Sequence, residues 1–308
     1  MTVNMAVELA PRQPSGLRLK NPVMTASGTF GYGMEYAKLV DVNRLGAVVA
    51  KGVTLEPRVG NPYPRLAETP AGLLNSIGLE NVGLEALLRD KAPIWATWEV
   101  PVLANVAGET VDEYARMAEA LEGVPGIAGL ELNISCPNVD AGGMAFGASP
   151  EIAAEVTSAV RSVCHQPLLV KLSPNVGDIA AVALAVEAAG ADAVSLVNTF
   201  VGMSIDVKAR RPFLPRGVGG LSGPAIRPLA VRMVYEVARV VSIPVVGIGG
   251  ITCAEDALEF LMAGATAVQV GTASFVNPRT CLDVIEGLEA WLAQEGLQDI
   301  REIVGAAL

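Results

Sequence analysis

Short apolar runs rich in β-branched residues recur along the chain, each closed by polar residues or glycine. Eight are present: "NPVMTAS" (21–27), "GAVVAKGVT" (46–54), "PVLANVAG" (101–108), "GLELNIS" (129–135), "PLLVKLS" (167–173), "DAVSLVNT" (192–199), "IPVVGIGG" (243–250) and "AVQVGTA" (267–273). Their near-continuous apolar character predicts parallel strands buried on both faces. Helical patterns fill most of the gaps, and several carry start signals. Thr110 with Glu113 and Thr252 with Glu255 have capping-box spacing, and Ser149 before Pro150 reads as an N-cap followed by proline at the first helical position. Eight β-then-α units predict an α/β protein, a (β/α)8 TIM barrel with long βα loops at its C-terminal face; an open doubly wound sheet is the structural alternative. No Pro/Gly/Ser-rich linker divides the chain, so residues 1–308 are expected to form a single domain. Two connections, 55–83 and 200–224, are too long to be plain helices and are expected to belong to the site.

Composition narrows the class of partner. Of 308 residues about half are apolar, enough for a large core, and the formal net charge is -10 with no block of basic residues. That balance argues against nucleic acid and against an anionic membrane surface. Small molecules or other proteins are the better partners. No apolar run is long enough to span a bilayer, and "MTVNMAVELAPRQPSG" lacks the basic-then-apolar order of a signal peptide, so a cytoplasmic location is expected. The four cysteines are far apart without a CxxC pair and are expected to be reduced, separate thiols.

In a barrel, chemistry belongs at the C-terminal ends of the strands. Reading those ends in order gives Ser27, Lys51, Asn105, Asn133 with Cys136, Lys171, Asn198 with Thr199, Gly249 with Gly250, and Gly271 with Thr272. A single asparagine there is more often a turn former. Several converging asparagines with two lysines point instead to a planar ligand rich in N–H and C=O groups. Paired glycines after the seventh and eighth strands leave backbone N–H groups to face an anion, which implies a phosphorylated ligand. Lys51 and Lys171 permit either Schiff-base chemistry or charge pairing with phosphate or an anionic cofactor. Cys136 could be packing, a metal ligand, a nucleophile or a base; its position on a loop with Pro137, Gly142, Gly143 and Gly147 favours a functional role. Packing is the expected fate of Cys164, Cys253 and Cys281. The one histidine, His165, falls in a helix-to-strand connection at the far end of the barrel and reads as structural. No residue cluster has metal-ligand spacing, and "GVGGLSG" fails the dinucleotide fingerprint G-x-G-x-x-G.

Taken in order, "KGVT", "NSIGLEN", "NISCPN", "VKLSPN", "VNT", "GGLSGPAI", "GIGGI" and "QVGTA" resemble the class 1 dihydroorotate dehydrogenases, over about Asn21 to Phe275. The resemblance implies a (β/α)8 barrel that holds FMN and oxidises dihydroorotate to orotate in pyrimidine (UMP) biosynthesis. It implies Cys136 as the base that removes the C5 proton while hydride leaves C6 for flavin N5. Lys51 matches a lysine shared by flavin and substrate; Asn75, Ser76, Ile77, Gly78 and Leu79 match a substrate-contacting loop. Asn133, Asn198 and Thr199 match further substrate contacts, Asn133 also touching FMN. Ser27, Gly52, Asn105, Lys171, Val197, Gly223, Gly249, Gly250, Gly271 and Thr272 match FMN-binding positions, with valine at 197 where isoleucine is common. Lys171 is expected to stabilise negative charge on the flavin. The continuation "VDAGGMAFG" resembles the class 1B catalytic subunit, which passes electrons to NAD through a partner subunit carrying FAD and a [2Fe-2S] cluster, two copies of the catalytic chain joining two of the partner in a heterotetramer. A fumarate-reducing class 1A-like enzyme and a related dihydropyrimidine dehydrogenase are the alternatives.

Overall fold

Strands buried on both faces need neighbours on both edges, and the apolar runs meet that need by closing on one another. In the computed structural model, which describes residues 3–134 and 146–308, they form β1 (Val23–Thr25), β2 (Val48–Val49), β3 (Val102–Val106), β4 (Gly129–Asn133), β5 (Leu168–Lys171), β6 (Ala193–Leu196), β7 (Val245–Ile248) and β8 (Ala267–Val270). All are parallel, in the order β1-β8-β7-β6-β5-β4-β3-β2. The two ends of that order meet through a parallel bridge between Met24 and Ala47, with Gly46 N–H donating to Val23 O at 2.8 Å and Val49 N–H to Thr25 Oγ1 at 3.0 Å. The sheet is therefore a (β/α)8 barrel rather than an open sheet. Each strand is shorter than its apolar run because the trailing polar residues lie beyond the ladder.

Around the barrel run α1 (Leu84–Asp90), α2 (Val111–Leu121), α3 (Pro150–Val163), α4 (Ile179–Ala188), α5 (Arg227–Ala238), α6 (Ala254–Met262) and α7 (Thr280–Glu295). The first connection departs from the expected β-then-α unit: between β1 and β2 it contains only the 3-10 turns Tyr36–Lys38 and Val42–Arg44. The connection begins with a tight turn at Gly33, whose φ of +89° is left-handed and where a Cβ would lie 2.8 Å from the Trp98 ring. Helix starts follow the sequence in part. Ser149 Oγ accepts from Ile152 N–H at 3.3 Å, as expected. Thr110 Oγ1 accepts from Glu113 N–H at 3.2 Å, but Glu113 reaches back to Glu109 N–H, at 2.7 Å, and not to Thr110. At α6 the N-cap is Cys253, not Thr252. Asp256 rather than Glu255 closes that turn, accepting from Thr252 N–H at 2.8 Å and Oγ1–H at 2.6 Å, because buried Asp256 is also paired with Arg227.

Both long connections fold into one element. Strands Leu66–Thr69 and Gly72–Asn75 of the first join Phe200–Gly202 and Gly219–Ser222 of the second in a four-stranded antiparallel sheet, the middle pair being 72–75 and 219–222. At the opposite end a hairpin, Val7–Glu8 with Arg18–Leu19, closes the barrel floor: Gln13 Nε2 donates to Asp192 at 3.1 Å and Arg12 pairs with Glu187 at 3.0 Å. Among the described residues no helix is long and apolar enough to cross a membrane.

Candidate active site

The strand ends and the antiparallel sheet enclose one cavity of roughly 1060 Å³. Every candidate site residue within the described chain lines it: Ser27, Lys51, Gly52, Asn105, Asn133, Lys171, Val197, Asn198, Thr199, Gly249, Gly250, Gly271 and Thr272 from the strand ends, and Asn75, Ser76, Ile77, Gly78, Leu79 and Gly223 from the long loops. Cys136, together with Ser135 and the residues through Ala145, lies outside the described residues. The last described residues before that segment are held in place: Tyr114 OH donates to Asn133 O at 2.7 Å, and Gly147 N–H donates to Ile134 O at 2.7 Å. The volume lies just above the range of about 300–1,000 Å³ common for small-molecule sites.

Hydrogen bonds preset the walls. Asn198 Nδ2 donates to Asn133 Oδ1 at 3.2 Å, and Asn198 Oδ1 accepts from Thr199 N–H at 2.8 Å. Asn75 Nδ2 donates to Gly220 O at 3.1 Å, tying strand 72–75 to the neighbouring strand 219–222 of the sheet. Asn61 Nδ2 donates to Ser76 O at 3.1 Å and Oγ at 3.0 Å, and Arg65 holds that turn through Val59 O at 2.7 Å and Glu80 at 2.8 Å.

The two lysines differ in setting. Lys171 is buried, and its Nζ donates to Ser27 Oγ at 3.2 Å; among the described residues no carboxylate lies within ion-pair distance of it. A buried ammonium with one hydroxyl for company is costly unless an anion joins it. Lys51 is half-buried, and burial pushes its amine below the usual lysine value, opposed by the Glu80 carboxylate and reinforced by Arg65. Both cations face the same cavity, which therefore suits a ligand set carrying more than one negative charge.

The glycines supply close approach. Gly250 has φ +75°, and a Cβ there would lie 2.8 Å from Gly223 O and from Arg227 Cβ. The backbone N–H groups of Gly250, Gly271 and Thr272 donate to no backbone carbonyl among the described residues. They form an anion-facing edge where β7 and β8 end.

The family model described as dihydroorotate dehydrogenase matches residues 12–292 of this chain. The chain belongs to the dihydroorotate dehydrogenase family. It is similar to proteins named dihydroorotate dehydrogenase B (NAD(+)), catalytic subunit: 57% identical over 307 residues to that of Desulforudis audaxviator, covering 100% of this chain and 98% of the relative. Against that of Trichlorobacter lovleyi it is 55% identical over 302 residues, 98% of both chains, and against that of Geobacillus kaustophilus 55% over 301 residues, 98% and 95%.

Within this dihydroorotate dehydrogenase family site, the sequence reading missed the polar floor. Glu131 on β4 is fully buried and accepts from Asn105 Nδ2 at 2.7 Å, Ser195 Oγ at 2.8 Å and Gln269 Nε2 at 2.6 Å. The available signal was a glutamate at the centre of an otherwise apolar run. Among the remaining cysteines, Cys164 and Cys281 are buried, and burial pushes their thiols up to about 11 and about 12. Cys253 corrects the expectation of packing: it is exposed at the N-cap position of α6, where its side chain makes no capping hydrogen bond. His165 is exposed beside Glu122 at the far end of the barrel, away from the cavity. Among the described residues no group of His, Cys, Asp or Glu could hold a metal ion.

Proposed function

We propose that this chain is the catalytic subunit of an NAD-linked dihydroorotate dehydrogenase, oxidising dihydroorotate to orotate in pyrimidine biosynthesis with FMN in the cavity. The observation that carries the reading is the cavity itself: family-matched lysines, asparagines and glycines from seven strand ends and two long loops converge on one space sized for two ligands. The residues present suit FMN. A buried acceptor, Asn105 Oδ1, has no donor among the described residues, and the glycine edge at Gly250 and Gly271 suits a phosphate. Ser27, Gly52, Asn105, Lys171, Val197, Gly223, Gly249, Gly250, Gly271 and Thr272 would hold the cofactor, together with Lys51 and Asn133.

When bound, FMN supplies the acceptor for the hydride that leaves C6 of dihydroorotate. The chain supplies the rest. Lys51 pairs with the substrate carboxylate, and Asn75, Asn133, Asn198 and Thr199 offer the mixed donors and acceptors that a cyclic imide needs. The Ser76–Leu79 segment forms the wall against which the ring lies. Cys136, following β4, takes the C5 proton; with a free thiol value near 8.5, thiolate is a minority at neutral pH. Lys171 stabilises the negative charge that collects during turnover.

The chain acts as one cytoplasmic barrel domain, residues 1–308, in a homodimer joined to a partner subunit carrying FAD and a [2Fe-2S] cluster. The words "NAD(+)" and "catalytic subunit" in the relatives' names support that division of labour. So does the sequence, which has neither dinucleotide fingerprint nor cluster-spaced cysteines. The test is reoxidation of the chain after reduction by dihydroorotate. NAD should act only once an iron–sulfur flavoprotein subunit is added; efficient reoxidation by fumarate without a partner would overturn the assignment.

A further inference from the structure

Bound to Asn105, which lines the cavity, is a buried carboxylate for which neither substrate nor cofactor contact has been assigned. Glu131 lies inside the barrel, fully buried, and binds side chains from three other strands: Asn105 on β3, Ser195 on β6 and Gln269 on β8. One oxygen, Oε2, accepts from Asn105; the other, Oε1, accepts from both Ser195 and Gln269. A carboxylate of this kind only accepts, so each amide must turn its nitrogen toward it. The amide oxygens are thereby turned away, and both Asn105 Oδ1 and Gln269 Oε1 are buried with no hydrogen-bond partner among the described residues. Asn105 lines the cavity, and its Oδ1 lies 2.8 Å from where a Cβ on Gly52 would stand, so it is aimed at a cavity edge kept open by a glycine. An orphaned buried acceptor is costly, and a ligand N–H is what would relieve it.

We infer that Glu131 is a positioning residue that sets the hydrogen-bonding polarity of the cavity floor: by fixing the Asn105 amide it presents an acceptor to the imide N–H of a bound ring. Flavin and pyrimidine rings both carry such a group, and the inference rests on the reading of the cavity as the site for FMN and dihydroorotate. With a carboxylate at 131 all three partners donate. Glu131→Gln, nearly isosteric, has a nitrogen to place: put toward Ser195 and Gln269, it needs the Gln269 amide to turn over and Ser195 to accept, whereas turned to Asn105 it disturbs one partner instead of two. Asn105 must then offer Oδ1 to that nitrogen and turn Nδ2 into the cavity. A donor now faces the ligand donor. Adding Asn105→Asp restores the acceptor, because one oxygen of the new carboxylate accepts from the amide introduced by Glu131→Gln while the other faces the cavity.

The experiment strips FMN from the wild-type chain, E131Q, E131L and E131Q/N105D, and titrates FMN back by fluorescence quenching. Orotate is then titrated into each reconstituted protein, with the visible flavin spectrum and Tm recorded. The expected result is E131Q with a Tm near wild type, at least ten-fold weaker FMN or orotate binding, an altered flavin spectrum, and recovery of most of the loss in E131Q/N105D. Which of the two affinities falls identifies the ring that meets Asn105. Wild-type affinities in both E131Q and Glu131→Leu, which leaves Asn105 no acceptor to fix it, or a double variant no better than the single, overturn the inference. If E131Q fails to fold, a double variant that folds and binds FMN supports the coupling, whereas one that also fails shows that Glu131 only holds the barrel together. Failure of the wild-type apoprotein to take up FMN would instead defeat the reading of the cavity.

Discussion

Replacing Lys51 by Met removes the cation assigned to the substrate carboxylate. The structure predicts little cost to the fold: Lys51 is half-buried, and Glu80, the carboxylate that acts on it most strongly, keeps its own partner Arg65 at 2.8 Å. The cost falls on binding. A hydrogen bond to a charged group is worth roughly 1.5–3 kcal/mol, which is about ten- to 150-fold in Kd at about 1.4 kcal/mol per decade. The same lysine sets a pH dependence. Its value is depressed, so the ammonium is lost at a lower pH than for a free lysine; orotate binding should hold below that depressed value and fall as pH rises through it. The assay is orotate titration against flavin absorbance at several pH values, with uracil, which lacks the carboxylate, as comparator. Lys51→Met should weaken orotate by the stated factor, flatten its alkaline decline and leave uracil nearly unaffected. Equal losses for both ligands, or orotate affinity unchanged, would refute the pairing.

Lys171→Ala should slow flavin reduction by dihydroorotate more than it weakens orotate binding; stopped-flow reduction set beside orotate titration measures both, and the reverse order would contradict the role. Gly220→Ala would place a Cβ 2.1 Å from Thr199 Oγ1, an overpacking of about 1–3 kcal/mol, so orotate should bind more weakly while FMN affinity holds. Turnover limited by chemistry should rise with pH into the alkaline range as the Cys136 thiol ionises; a flat profile from steady-state rates would speak against Cys136 as base.

The eight strands were readable because burial on both faces leaves an unmistakable apolar run, and the candidate site was legible only as a set: one asparagine at a strand end is a turn former, but several with two lysines at the same barrel end point to one shared cavity. Other features needed coordinates. The strands at 66–75 and 200–222 are short, half-exposed and rich in glycine, and the pairing of Asn75 with Gly220 spans 145 residues of sequence, so no local period announces it. The floor network had one visible member, Glu131, whose partners Ser195 and Gln269 look like ordinary small or polar interruptions until β6 and β8 are brought together inside the barrel. Spacing alone also chose the wrong acid at α6, since Asp256 is drawn inward by Arg227 while Glu255 is exposed. The missing first helix has the same origin: the glycines after β1 permit a turn that the apolar pattern of "MEYAKLV" does not forbid.

The most direct test is anaerobic addition of dihydroorotate to the purified chain, followed in the visible flavin band. Bleaching at one equivalent of dihydroorotate per bound flavin, with orotate formed in equal amount, is the predicted result. A protein that carries flavin yet shows no bleaching with dihydroorotate, or that purifies without flavin and takes up none, would contradict the assignment.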